Sequence, residues 1–74
     1  MSLEINNNLK VWRAKLDLTQ SDLADLVEVS RKTINTLERG IYTPSVTLAL
    51  KIARVFKTNV EEVFFLKHKV RYDE

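Results

Sequence analysis

Residues 19–40 read TQSDLADLVEVSRKTINTLERG, and the punctuation of this stretch decides the fold. Thr19 and Asp22 stand three apart, hydroxyl then carboxylate, as in the capping box that opens a helix. A helix is expected from about Gln20 to Val27, with Leu23, Ala24 and Val27 on one face. Ser30 then caps a second helix, about Arg31 to Arg39, with Ile34, Leu37 and Glu38 turned inward. Gly40 ends it, because glycine accepts the left-handed conformation that follows a helix. Two short helices joined by about three residues, 28–30, form a helix-turn-helix unit over 19–39.

The pattern continues on both sides. Upstream, Leu9, Trp12 and Leu16 recur at helical spacing, predicting a helix from about Asn7 to Asp17 with Asn6 or Asn7 as its cap. Downstream, Pro44 and Ser45 start a helix from about Val46 to Phe56, whose buried stripe is Leu48, Ala49, Ile52, Ala53 and Phe56. Asn59-Val60-Glu61-Glu62 reads as a second capping box, opening a short helix through Phe64. From Leu66 the period changes. Leu66, His68, Val70 and Tyr72 alternate with Phe65, Lys67, Lys69 and Arg71, and Leu3 and Ile5 alternate in the same way near the start. This predicts a small antiparallel pair of strands joining the two ends. The expectation is an all-α fold of five helices with a short two-stranded antiparallel sheet, a single domain over 1–74 with its helical core at 6–66.

Composition agrees with that size. Seventy-four residues leave room for one domain, and a chain this short buries only about 60–65% of its unfolded surface. Oligomerisation would help so thin a core. Apolar residues at 45% and charged residues at 30% mark a globular chain, not a disordered one. The single Gly and single Pro argue against β-rich architecture, and the lack of Cys excludes disulfides and thiolate metal sites. No apolar run approaches the ~20 residues of a membrane span, and no signal-peptide pattern opens the chain. A cytoplasmic protein without membrane contact is therefore expected, and Met1-Ser2-Leu3 can be read as a cloning leader. The net charge is only +2, but it is unevenly spread. Residues 17–28 hold Asp17, Asp22, Asp25 and Glu28 and no base. Residues 31–57 hold Arg31, Lys32, Arg39, Lys51, Arg54 and Lys57 against Glu38 alone. Such sidedness suits a surface that meets phosphate.

The second helix of the unit is polar at its exposed start: Ser30, Arg31, Lys32, Thr33, then Asn35 and Thr36, with apolar residues between. A helix docked in the DNA major groove needs this arrangement, because its first residues reach base edges while its back packs on the domain. Here the sequence resembles a known family. Thr19-Gln20-Ser21-Asp22-Leu23-Ala24, Val29-Ser30-Arg31-Lys32-Thr33-Ile34 and Leu37-Glu38-Arg39-Gly40 are similar to the pattern of Cro/C1-type (XRE) regulators. Tyr42-Thr43-Pro44-Ser45 and Leu48-Ala49-Leu50-Lys51-Ile52-Ala53 continue it in register. The likeness spans residues 6–66, and small stand-alone repressors of the family share the Asn-Asn-Leu-Lys start. It implies a five-helix, lambda-repressor-like fold, homodimers, palindromic operators in double-stranded DNA, and no cofactor. One departure is Glu28, where the family often has Gly. If Glu28 has φ > 0, it costs roughly 1 kcal/mol against Gly.

The resemblance also implies roles. Arg31 and Lys32 sit where the family's reading helix meets base edges, and arginine bidentate to guanine O6 and N7 is the commonest specific contact. Asn35 is placed to reach adenine or a phosphate, and Thr36, one turn deeper, a thymine methyl. Gln20 matches the family's phosphate clamp at a helix start, where free N–H groups favour an anion. Ser30, Thr33, Arg39 and Tyr42 are further candidates for the DNA backbone, Tyr42 reading equally as loop packing. Arg13 and Glu38 lie on otherwise inward faces, and the family pattern brings them together as a structural ion pair. Val55, Phe65 and Leu66 belong to an apolar surplus near the C-terminal end and are candidates for a dimer interface.

Other features read more plainly. Trp12 is core or half-exposed packing, not a stacking platform. His68 is alone, a surface or packed histidine without metal partners. Asp22, Asp25 and Glu28 form a solvated helix face. No nucleophile–base set, phosphate loop or metal-ligand spacing is present, so neither enzyme nor metal site is expected. The competing function is an antitoxin-like protein-interaction module that keeps the DNA helix. It requires an exposed segment beyond the bundle, for which residues 67–74 remain. With no room for an effector domain, control would come from concentration, a partner or exclusion of polymerase. Nothing in the chain indicates a small-molecule effector.

Overall fold

The computed structural model describes residues 5–67. In chain order it runs β1 (Ile5–Asn7), α1 (Leu9–Lys15), α2 (Gln20–Val27), α3 (Arg31–Glu38), α4 (Val46–Phe56), α5 (Val60–Val63) and β2 (Phe64–Leu66). The architecture is five helices with a small antiparallel sheet, as expected from the sequence.

Local chemistry sets most boundaries. At α2, Thr19 Oγ1 accepts the Asp22 N–H at 2.9 Å and the Asp22 carboxylate accepts the Thr19 N–H at 2.9 Å, a reciprocal capping box. Those bonds to Thr19 hold the Asp22 carboxyl below its ordinary value. Ser30 caps α3 by accepting the Thr33 N–H at 3.2 Å, and Ser45 caps α4 by accepting the Leu48 N–H at 3.1 Å. Gly40, at φ 76°, closes α3. Its N–H bonds to Leu37 O and the next N–H, from Ile41, to Thr36 O, so two orphan carbonyls are satisfied. Glu28 and Lys57 end α2 and α4 in the same left-handed way at φ 63° and 56°.

The structure corrects several expectations. Helix α1 is shorter than 7–17, because Asn7 belongs to β1 and Asp17 turns left-handed at φ 59°. Its cap position is Asn8, which makes no side-chain cap bond; Asn7 Oδ1 instead accepts the Leu9 N–H at 3.1 Å. The turn at Asp17 leaves Leu16 46% exposed and brings half-buried Leu18 against the core in its place. Asn59 does not act as a side-chain cap either; its backbone carbonyl accepts the Glu62 N–H at 3.0 Å. Finally, α5 stops at Val63, because Phe64 becomes extended to pair with Asn7.

The strands pair in the register Ile5–Leu66, Asn6–Phe65 and Asn7–Phe64, so the two ends of the described chain are tied together. Leu3, His68, Val70 and Tyr72, also assigned to this alternation, lie outside the described residues. Leu9, Leu23, Val27, Ile34, Leu37, Ile52 and Val63 are fully buried and form the centre of one core. Each such aliphatic side chain contributes about 1.5–3 kcal/mol by leaving water. Trp12 lies at the core's margin, stacked on Phe56 at 5.7 Å, with its Nε1 donating to Glu62 O at 3.0 Å. Both α2 and α3 are thus held from behind, and their remaining faces stay open.

Candidate nucleic-acid interface

The turn of residues 28–30 sets α3 across α2. The helical period of α3 puts Ile34 and Leu37 into the core, with 0% and 1% exposure. The same period leaves Arg31 and Lys32 exposed at its first turn and Asn35 and Thr36 half-buried beside them. Arg31, Lys32 and Asn35 line one shallow concavity. Ser30 and Thr33 are engaged with each other, their hydroxyls 3.1 Å apart. The Thr36 hydroxyl turns back onto its own helix, 3.0 Å from the carbonyls of Lys32 and Thr33. Arg39 and Tyr42 are exposed past the end of α3.

Glu38 is the one acid of α3, and it faces the other way. Its side chain is 2% exposed and receives Arg13 Nε at 2.5 Å and Arg13 Nη2 at 3.0 Å, the bidentate geometry that suits a guanidinium. Burial pushes the Glu38 carboxyl up. Hydrogen bonds from Arg13 and Gln20, with the charges of Arg13 and Lys10, outweigh that and hold it below the ordinary glutamate value. The bond to Glu38 likewise raises Arg13. Both partners are therefore ionised, and Arg13 also donates to Leu18 O at 3.0 Å, bracing the loop before α2. With Glu38 neutralised inside, the outward face of α3 carries only positive formal charge.

Gln20 joins this arrangement in a way that sequence reading did not supply. Its Nε2 donates to Glu38 Oε1 at 3.0 Å, and its Oε1 lies 3.5 Å from Asn35 Nδ2. A chain of contacts thus runs Arg13–Glu38–Gln20–Asn35 from α1 to the exposed edge of α3. Two more supports were also missed. Asn7 Nδ2 donates to Leu37 O at 2.9 Å, fastening the end of α3 to β1. Lys51 Nζ donates to Glu28 Oε1 at 3.2 Å, fastening the turn to α4. These partners are 30 and 23 residues apart, and no local pattern signals them.

Comparison with known proteins also returns a helix-turn-helix. The family model described as helix-turn-helix matches residues 9–63. The chain belongs to the Cro/C1-type helix-turn-helix family. This helix-turn-helix protein is 41% identical over 70 residues to an HTH-type transcriptional regulator of Archaeoglobus fulgidus, covering 95% of this chain and 99% of that one. It is 48% identical over 60 residues to the HTH-type transcriptional regulator MJ0272 of Methanocaldococcus jannaschii, covering 81% and 91%. The solution structure of the SOS-response transcriptional repressor LexA from Eubacterium rectale superposes with a TM-score of 0.71 at 28% identity, covering 90% of this chain and 72% of that one. The helix-turn-helix protein is thus a transcriptional regulator with a DNA-binding domain, in a family of regulators and not of enzymes.

The other assigned residues fall in two places. Val55 is half-buried and packs against the core, whereas Phe65 and Leu66 are 37% and 43% exposed on β2. No helix among the described residues is long and apolar enough to cross a membrane.

Proposed function

We propose that this protein represses transcription from the cytoplasm by binding a palindromic operator as a homodimer, with α3 of each subunit in the major groove. The observation that carries this reading is the division of charge on α3. Arg31 and Lys32 stand exposed without ion-pair partners among the described residues, while Glu38 is turned in and neutralised.

Each role follows from what the side chain has left to offer. Arg31 and Lys32 read base edges, with guanine O6 and N7 as the matched acceptors. Asn35, steadied by Gln20, addresses adenine. Thr36 uses its hydroxyl on its own backbone and offers its methyl group to thymine. Ser30, Thr33, Arg39 and Tyr42 contact phosphates and set register without specifying sequence. Gln20 keeps a second amide hydrogen beyond the one given to Glu38, and it joins them from the start of α2. Ile5, Phe65 and Leu66 expose apolar surface on the strand pair, and these residues together with Val55 form the two-fold contact. A two-fold dimer in this mode places its reading helices about 34–36 Å apart. The domain, 6–66, then represses by occupying DNA that polymerase needs.

Selection of bound duplexes from a random pool tests the reading. The expected product is a palindrome with half-sites one helical turn apart. Arg31→Ala should lose about 1–3 kcal/mol on the selected site and relax one base position, whereas Gln20→Ala should weaken every sequence, with any change of preference confined to the base that Asn35 reads. Equal losses from both substitutions on all sequences would remove base reading from Arg31. Placed over a promoter, the selected site should lower reporter output; a rise in output would overturn repression.

A further inference from the structure

We infer that the groove between α4 and α5 is a docking surface for the outer face of α2 on a neighbouring copy of this chain. The contact is head-to-tail, separate from the two-fold surface on the strand pair, and it does not depend on the DNA reading.

Helix α4 buries one stripe and leaves another with no partner in the described chain. Val46 and Leu50 are 77% and 56% exposed, and Arg54 and Lys57 follow them along the same face. That face borders an open groove of about 880 Å³, closed on its far side by Thr58, Val60 and Glu61 at the start of α5. Lys51, Arg54 and Lys57 line it against Glu61 alone. Arg54 and Lys57 form no ion pair among the described residues. A surface built only for phosphate would have no use for the apolar side chains. A stripe that mixes apolar and cationic groups fits one that mixes apolar and anionic groups.

Helix α2 carries that complement. Opposite its buried residues Leu23, Ala24 and Val27 it presents Asp22, Asp25 and Leu26. Leu26 is 56% exposed, and the Asp25 carboxylate has no partner among the described residues. Within one chain α2 and α4 are packed through their buried sides, so these two outer faces cannot meet. Between copies they can. The contact is heterologous and does not close on itself. Its charges are exposed, so it is weak and sensitive to salt. It serves copies already held close together, such as neighbours on one duplex, where effective concentration is high.

Sedimentation equilibrium of the full chain, without DNA, tests this. At low salt the wild type should associate beyond its basal state, whether monomer or two-fold dimer. The paired reversal Arg54→Glu with Lys57→Glu should weaken that step by about tenfold or more, and Asp25→Lys should do the same. Mixing the two variants should restore association in alternating order, because the unreversed faces match each other and so do the reversed ones. The combined reversal of all three residues should restore self-association. Circular dichroism confirms that each variant folds. The inference is overturned if the wild type shows no such step, which would leave the groove to another partner. It is equally overturned if the reversals leave the step unchanged, or if the triple variant fails to regain it. A loss of affinity for an isolated half-site in the paired reversal would make the groove a DNA contact instead.

Discussion

The two ion pairs that tie the helix-turn-helix unit to the domain are opposites. On the α1 side, Arg13 and Glu38 join at two points, with side chains 15% and 2% exposed. On the α4 side, Lys51 meets Glu28 at one point, with side chains 46% and 79% exposed. The formal charges are the same; the surroundings are not. Inside, the cost of leaving water nearly offsets the attraction, so the pair adds little net stability, yet each charge now depends on the other. Outside, water replaces a lost partner at little cost. The end of α3 is therefore fixed from the α1 side, and the turn before it is only lightly tethered.

The largest expected effect comes from stranding one member of the buried pair. Arg13→Ala should cost about 3–5 kcal/mol. Each kilocalorie lowers the melting temperature of a domain this size by about 4–8 °C. Trp12, the sole tryptophan, stacked on Phe56, reports unfolding in urea through its emission. A loss no greater than that from Lys51→Ala would break the comparison. Replacing both partners with apolar residues, Arg13→Met with Glu38→Leu, should return stability to within about 1 kcal/mol of wild type. It should not return specific DNA affinity, since Gln20 loses its acceptor. Full recovery of both would reduce the pair to a packing device.

Acid reaches the same stranded state by titration. Glu38 has a carboxyl value lowered in the folded protein, so its contribution is fully present above the unfolded glutamate value, about 4.3, and is lost as pH falls through the folded value. Stability should stay level at neutral pH and fall below about pH 4. Asp22, also lowered, acts on the same limb. Glu38→Gln should make that fall shallower in urea titrations across pH; an unchanged limb would detach Glu38 from it.

Glu28 gives a smaller effect of opposite sign. It sits at φ 63°, where a side chain is strained, and its compensation is the exposed contact with Lys51. Glu28→Gly should therefore stabilise the protein by up to about 1 kcal/mol, less the glycine's extra unfolded-state freedom. Destabilisation by more than that would show the outer bridge to be stronger than its exposure suggests.

What could be read from the residues follows the range of the forces involved. The bounds of α2 and α4 were legible because Thr19, Asp22 and Ser45 bond within three residues of themselves. The outward position of Arg31 and Lys32 was legible for a related reason: helical period alone separates them from Ile34 and Leu37. Asp17 was not, since its left-handed turn is open to many polar residues, and it decided whether Leu16 or Leu18 faced the core. Phe64 was lost from the expected α5 because pairing with Asn7 lies 57 positions away in the chain, at a distance no local pattern spans. At the site the same limit hid Gln20. Its reading as a phosphate clamp considered only the start of α2, and its bond to Glu38 crosses 18 residues.

The smallest effect is the sharpest test of the outer bridge. Lys51→Ala removes the Nζ contact with Glu28 and should change stability by no more than about 0.5 kcal/mol. Even that difference should disappear at about 1 M salt, where the screening length of ~3 Å is no longer than the contact itself. The buried pair should be almost indifferent to the same salt, because little of Glu38 meets solvent. Paired urea titrations of Lys51→Ala and wild type at low and high salt measure both statements together. A salt-independent loss at Lys51 would mean that its alkyl stem, lining the cleft with Val27, Val29 and Leu48, matters more than its charge. The turn would then be held by packing, and the contrast between the two sides of the unit would rest on Arg13 and Glu38 alone.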